Sequence, residues 1–411
     1  MKKCFFITLF LLITLSARSQ QVLTLEQAIE TALKKNGSVQ AETYNVASQR
    51  ALKKTGFDLP KTNVSLQYGQ YKRKKKNDNN LMITQTIPFA AFGSQSALNR
   101  SLVVSSELKK AATENELVFQ VKQVYYQLAF LRAKEKLLQQ QDSIFEGFLK
   151  AASLRYRAGE ANLLEQTTAE SQRNEVKNLL AKIQADQIII RTQLKTLVNS
   201  NELPDIADSG LNKVSFSNAP DSVAIQSNPS AAYMRQQVQV TKDEKKVELA
   251  KAAPELLLGF FTQTLIGVQN TESGSGAVAT SSDRFTGFQV GLAIPLWFAP
   301  QQGRVKAADY NRQSAESNYQ YYHKTLQGRY QQAMQEYTKN KNSLDYYTIS
   351  ALPNADLILK QTLLAFRNGE IGYAEYLLGV QKAITIKEGH LQTLNDYNQS
   401  IIYIEFLSGN K

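Results

Sequence analysis

Apolar residues recur along this chain in two rhythms that alternate. From about residue 94 to residue 199 there is no proline, and the apolar positions fall at helical spacing. Leu117, Val121, Val124, Leu128, Leu131 and Leu138 follow a 3-4 heptad seam that Glu135 interrupts. Val176, Ile183, Ile190 and Leu197 then recur every seventh residue, with Leu180 and Leu194 at the alternate seam position. This is coiled-coil patterning. It predicts a long helix over about residues 94–152 and a second helix returning along it. Between them lies Arg155-Tyr156-Arg157-Ala158-Gly159-Glu160, where Gly159 is free to take φ > 0 and reverse the chain. The design returns further on. Leu326, Tyr330, Ala333, Tyr337, Leu344, Tyr347 and Ala351 carry a seam that Pro353 should kink. The stretch Ala365-Phe366-Arg367-Asn368-Gly369-Glu370 repeats the tip, and Leu377, Val380, Ile384, Leu391, Leu394 and Ile401 carry the return. A helix of roughly 60 residues is about 90 Å long, more than any compact globular domain needs. Hairpins with seams this narrow must bury their other faces against copies or a partner.

The second rhythm has period two. Val64, Leu66 and Tyr68 share one face of a short segment, and Ile83 and Ile87 share one face of residues 81–89. Residues 255–267 and 285–296 form a second pair, with Phe288, Val290, Leu292, Ile294 and Leu296 opposite Gln289, Gly291 and Ala293. Each segment is about ten residues, the length a tilted strand needs to cross a bilayer. Trp297 and Phe298, at the end of the last, fit an interfacial aromatic girdle or ordinary core packing. Shorter helices precede each pair of strands. Thr24 caps the first, and Gln27 completes a capping box, with Leu25, Ile29 and Leu33 on one face. Another runs over about residues 38–55.

The two halves match. Gly159 and Gly369 lie 210 positions apart, as do Gly93 and Gly303, each of the latter ending a proline-containing apolar strand. Asn36-Gly37-Ser38 corresponds to Asn228-Pro229-Ser230. The chain therefore reads as a tandem duplication: a leader over residues 1–20, a first repeat over 21–200, a linker over 201–229 and a second repeat over 230–411.

Composition narrows the class. Lys2-Lys3 followed by an apolar stretch from Cys4 to Leu15 is a secretory leader, too short to span a membrane, with small residues Ala17 and Ser19 placed for cleavage near residue 19 or 20. Cys4 is the only cysteine and lies too early for a lipid anchor. The formal charge of +12 falls to +9 without the leader, too moderate to argue for nucleic acid. Lys72-Arg73-Lys74-Lys75-Lys76, between the first two strands, reads as a solvated hairpin loop or as a contact for anionic lipid headgroups. The Ser/Gly/Thr-rich residues 270–283 read as a mobile loop. His323 and His390 have no partner at ligand spacing, and three methionines beyond the leader form no cluster. With no Walker loop and no GxSxG, no enzyme, metal site or cofactor is expected.

Four membrane-length strands cannot close alone, because they leave no room inside a barrel. Left open in lipid, they expose two edges, each unpaired group costing several kcal/mol. Several chains must pool strands into one barrel, each adding helical hairpins to a tube continuing from it. In this order and twice over, Leu23-Thr24-Leu25-Glu26-Gln27-Ala28, Asn228-Pro229-Ser230, the Ile-Pro segments at Pro88 and Pro295 and the two Tyr/Phe-Arg-x-Gly-Glu tips resemble the TolC-type outer-membrane efflux proteins. The resemblance covers the whole mature chain. It implies a mainly α fold with a transmembrane β-barrel: a homotrimer with a twelve-stranded barrel, four strands per chain, and a long periplasmic α-barrel. It also implies docking with a periplasmic adaptor and an inner-membrane pump, often of the RND type. Leu352-Pro353-Asn354-Ala355 looks like the branch serving heavy-metal RND pumps. By the same resemblance an acidic ring past the second tip closes the channel. Glu375 holds that place here, Leu378 stands where some members have a second acid, and Glu165 is the equivalent in the first hairpin. Each glutamate reads equally as a solvated helix-face carboxylate. Arg155, Tyr156, Arg157 and Gly159, with Phe366, Arg367 and Gly369, are the expected docking tips, the arginines and aromatics exposed on rigid turns. The rival readings are a secreted coiled-coil scaffold or adhesin and the periplasmic adaptor itself. The first leaves the strands and the repeat unexplained, and the second needs a lipoyl-like β-domain and usually one hairpin.

Overall fold

The computed structural model describes residues 22–69, 78–160, 162–208, 210–216, 222–269 and 276–409. The leader, the core of the basic loop and residues 270–275 of the Ser/Gly/Thr-rich loop lie outside them. The elements are, in order, β1 (Val22–Leu23), α1 (Leu25–Lys35), α2 (Gly37–Leu52), β2 (Asn63–Gly69), β3 (Asp78–Ile87), α3 (Phe89–Arg157), α4 (Leu163–Val198), β4 (Asp205–Ile206) and α5 (Pro229–Ala250). They continue with β5 (Glu255–Thr264), β6 (Gly267–Gln269), β7 (Ala277–Ala279), β8 (Arg284–Ala293), α6 (Phe298–Tyr346), α7 (Leu352–Arg367) and α8 (Tyr373–Ser408). They form two units, one of residues up to 41, 112–228 and from 324 on, the other of residues 42–111 and 229–323.

The first unit is helical. Thr24 Oγ1 accepts from the Gln27 backbone, and Gln27 Oε1 accepts from the Thr24 backbone, the reciprocal box that starts α1. Ala28 and Ala32 are buried at the centre of the α1 stripe, with Leu25, Ile29 and Leu33 packed round them. Along α3 and α4 the heptad residues Leu117, Val121, Leu128, Leu138, Val176 and Ile183 are buried. Glu135 breaks the seam without stranding its charge, since Gln184 and Gln187 donate to its carboxylate at 3.3 and 2.7 Å.

Two corresponding asparagines meet helix ends in the same way. The last carbonyls of a helix have no intrahelical partner. Asn36 Nδ2 donates to the Leu197 carbonyl near the end of α4, and Asn228 Nδ2 to the Leu407 carbonyl near the end of α8. Both helices then turn off in the left-handed region, at Asn199 (φ 49°) and Gly409 (φ 73°). The paired Asn-x-Ser motifs thus do one job twice.

Two elements fall inside the expected 201–229 linker. β4 pairs in parallel with β1, Val22 opposite Asp205 and Leu23 opposite Ile206. Arg132 holds this pairing by donating to the Ile206 and Asp208 carbonyls at 2.8 and 2.9 Å and by an ion pair with Asp205. A 3-10 turn, Ser222–Ser227, then leads to α5.

The second unit carries the sheet, ordered β2-β3-β5-β8 and antiparallel throughout. The strands differ from expectation at their ends. β5 stops at Thr264 and β8 at Ala293, while β6 and β7 form a separate small hairpin. Gly93 and Gly303 do not end strands; they lie in the second turns of α3 and α6. Pro88 and Pro295 make the break, because proline cannot donate to a ladder but tolerates the start of a helix.

At Pro353 the long helix changes type. Residues Tyr347–Ala351 form a π turn in which the Leu352 N–H reaches the Tyr347 carbonyl, and Pro353 sits in the first turn of α7. The extra residue in the turn absorbs the N–H that proline lacks.

Candidate docking tips, aperture residues and sheet faces

Both hairpins reverse by the same hydrogen-bond pattern. At the first, Gly159 N–H donates to the Tyr156 carbonyl (3.1 Å) and Glu160 N–H to the Arg155 carbonyl (2.9 Å). At the second, Gly369 donates to Phe366 (3.2 Å) and Glu370 to Ala365 (2.9 Å). Gly159 and Gly369 take φ of 76° and 73°, the left-handed position of a Schellman cap.

The two glutamates start the return helices. Asn162 caps α4 by accepting from the Glu165 backbone at 3.0 Å, and the Gly372 N–H donates to Glu375 Oε2 at 3.2 Å at the start of α8. Their charge also suits the positive end of a helix. Arg155 reaches across the first hairpin to Glu165 (3.4 Å) and to the Glu160 carbonyl (3.4 Å). It therefore serves as a tie inside the hairpin, with part of its side chain still exposed. Phe366 is also not an exposed contact. Its ring lies 5.6 Å from Phe148 and 4.8 Å from Tyr376, and Phe148 is 4.5 Å from Tyr376 and 5.1 Å from Tyr373. This cluster fastens the first hairpin to the second, and Tyr376 is 5% exposed. Burial, then the Glu165 charge, pushes the Tyr373 phenol above its ordinary value.

Tyr156, Arg157 and Arg367 remain exposed. Beside them stand apolar side chains that the sequence reading passed over: Leu154, Leu163, Leu164, Leu364 and Leu378, with Leu164 71% exposed. The signal was present in the pairs Leu163-Leu164, Leu363-Leu364 and Leu377-Leu378, since a narrow seam cannot take both neighbours of a pair.

The sheet has two unlike faces. One, read from the register, carries Val64, Leu66, Ile83, Phe260, Phe288 and Val290, with Gln85, Thr262, Thr286 and Arg284 among them. Much of it is bare: Phe288 is 85% exposed. Trp297 follows the last strand at 84% exposure, so the core-packing reading of Trp297 does not hold. The opposite face holds Asn63, Ser65, Gln67, Thr84 and Gln289 and the glycines Gly259, Gly287 and Gly291. β2 and β8 have free outer edges among the described residues.

His390 lies beside Tyr347, ring centroids 6.4 Å apart, and burial holds its imidazole below the ordinary value. Among the described residues no group of three or more His, Cys, Asp or Glu could hold a metal ion, and no helix is long and apolar enough to cross a membrane.

No family model and no curated protein matches this chain. Solved structures do. CusC, a protein that forms a transmembrane channel, matches with a TM-score of 0.77 and 16% identity over 94% of this chain and 92% of its own. The outer membrane protein VceC of Vibrio cholerae gives 0.75 and 12%, covering 94% and 96%. The CmeC outer membrane channel of Campylobacter jejuni gives 0.73 and 16%, covering 97% and 90%. At these identities the likeness is one of fold. The chain has the mainly α architecture of these channels, long helical hairpins with a four-stranded sheet.

Proposed function

We propose that this protein is the outer-membrane channel of a tripartite efflux system, a conduit from a periplasmic adaptor and an inner-membrane pump to the exterior. The observation that carries the reading is the sheet. It has one mainly apolar and largely bare face, one more polar face rich in glycine and, among the described residues, two free edges. An apolar face of that extent suits lipid, and a polar face suits a water-filled lumen. Free edges are costly in a bilayer, where each unpaired N–H or C=O loses several kcal/mol. Pooling the strands of three chains into twelve removes them. By the resemblance, the helical hairpins of three chains form the periplasmic part of the duct. Trp297 and Phe298 stand as girdle residues at the lipid interface, and Glu165 and Glu375 flank the periplasmic aperture. The exposed Tyr156, Arg157 and Arg367 and the leucines beside them serve as the adaptor contact.

The pump is of the RND type, as the resemblance implies. The heavy-metal branch has less behind it: its carrier, Leu352-Pro353-Asn354-Ala355, has a backbone reason for being there, since it ends the π turn. Neither rival reading accounts for the bare apolar sheet face. A scaffold or adhesin in water would leave it exposed, and an adaptor has no use for it.

The test is fractionation followed by reconstitution. The protein should stay with the outer membrane through carbonate and salt washes, and the purified assembly should form ion-conducting pores in planar bilayers. Release into the soluble fraction by those washes would overturn the reading.

A further inference from the structure

The polar face of the sheet is not uniformly polar. Met82 stands opposite Phe261, and Phe261 opposite Gly287. Phe285, one step along on the same face, has its ring 6.1 Å from that of Phe261. Gly287 leaves room for this arrangement: a Cβ there would lie 2.6 Å from Phe261 Cζ, and the ring would have to swing aside. The far edge of the Phe261 ring therefore reaches over Gly287 of the neighbouring strand. Between Asp78 at the start of β3 and Glu255 at the start of β5, this face carries no charged residue. A thioether beside one aromatic ring, with a second ring next to the first, makes a polarisable, uncharged surface. Charge-bearing cargo would find no counter-ion on it.

We propose that Met82, Phe261 and Phe285 form an aromatic collar inside the barrel that binds neutral aromatic solutes during passage. The collar rests on the channel reading, which makes this face the lumen and brings three copies of the patch together around one axis. Phe285 is 59% exposed in the single chain, so its ring is available to a solute. Stacking on such rings, rather than hydrogen bonding, would favour planar uncharged molecules over sugars of similar size.

The experiment is single-channel recording on the reconstituted protein, with 2-naphthol as probe and glucose as the polar control. The wild type should show transient blockades by naphthol and not by glucose. Phe285→Ser and Phe261→Ser should each shorten the naphthol dwell time by about tenfold, while Phe261→Leu retains part of it and open-channel conductance stays within the wild-type range. If Phe261→Ser does not assemble, Phe285→Ser alone decides, because its ring is the more exposed. Equal dwell times in wild type and variants, or equal blockade by glucose, would overturn the collar while leaving the channel intact. Absence of any pore would overturn the channel reading and the collar with it.

Discussion

Glu375 combines two properties that a single substitution can separate. Its carboxylate accepts from the Gly372 N–H at the start of α8, and its charge would add to a ring at the aperture if three copies meet. Glutamine at 375 keeps an acceptor for the cap and discards the charge. Glu375→Gln should therefore weaken cation selectivity in single-channel recordings, because like carboxylates near one axis concentrate negative potential. The melting temperature should stay within the error of the wild type. Unchanged selectivity would leave Glu375 as a capping residue only. His390 offers a second test at this scale. It shares a cavity wall with Lys136, Asp356 and Lys387, and burial keeps its imidazole below the ordinary value of 6.5. The folded state then binds fewer protons than the unfolded state in the window below that value. Stability is fully present above about pH 6.5 and is lost as the pH falls through the window toward the lowered folded value. His390→Gln should flatten the dependence of melting temperature on pH between about 7 and 5. Parallel curves for variant and wild type would show that the imidazole does not feel its burial. The acids and the histidine were legible in the sequence as residue types. Their capping and burial were not, because both depend on backbone direction and on a neighbour far along the chain.

The hairpins were the most legible elements, and their tips set the next prediction. A heptad seam specifies which residues meet, and a glycine after Arg-x specifies where the chain turns, so the Schellman caps at Gly159 and Gly369 could be read in advance. A seam does not specify what the outer faces meet. The packing of Phe148 against Phe366, Tyr373 and Tyr376, which joins one hairpin to the other, was therefore invisible, and Phe366 was wrongly taken as exposed. β1 and β4 were missed for a related reason: two residues carry no period, and their pairing depends on Arg132 more than 70 positions away. Gly159→Val and Gly369→Val place a β-branched side chain at positive φ, a strain of roughly 1–2 kcal/mol each, with nothing within 4 Å of the added Cβ to clash. The damage is therefore conformational and local to the turn. Cross-linking to the adaptor and export should both fall, while the amount of assembled protein in the outer membrane stays normal. If both variants kept full cross-linking and export, the tips would not be the docking surface. Leu164→Ser probes the same surface without touching the backbone and should lower cross-linking as well.

At the scale of the whole molecule, the proposed channel makes one chain a third of a barrel. Its four strands were recognisable because alternation over about ten residues is a strong pattern. Their order was not, because β3 pairs with β5 from far along the chain, and sequence periodicity is silent on partners. That pairing joins β2-β3 to β5-β8 in one sheet and leaves β2 and β8 as its edges. A sheet built this way offers a first-half edge and a second-half edge to its neighbours, so identical chains can join head to tail around an axis and close. Three chains make twelve strands. Native mass spectrometry of the detergent-extracted protein should therefore give the mass of three mature chains. Closure also demands a particular contact, β2 of one chain against β8 of the next. Cys4 is the only cysteine in the sequence, so engineered pairs face almost no background. One cysteine on β2 at Leu66, combined in turn with one at Phe288, Val290 or Leu292 on β8, samples neighbouring registers on the same face. At least one combination should yield covalent trimers on oxidation, while either single substitution yields none. A stable monomer that keeps its full β content, with no combination forming an inter-chain bond, would mean that the edges are closed in some other way and that the barrel is not shared.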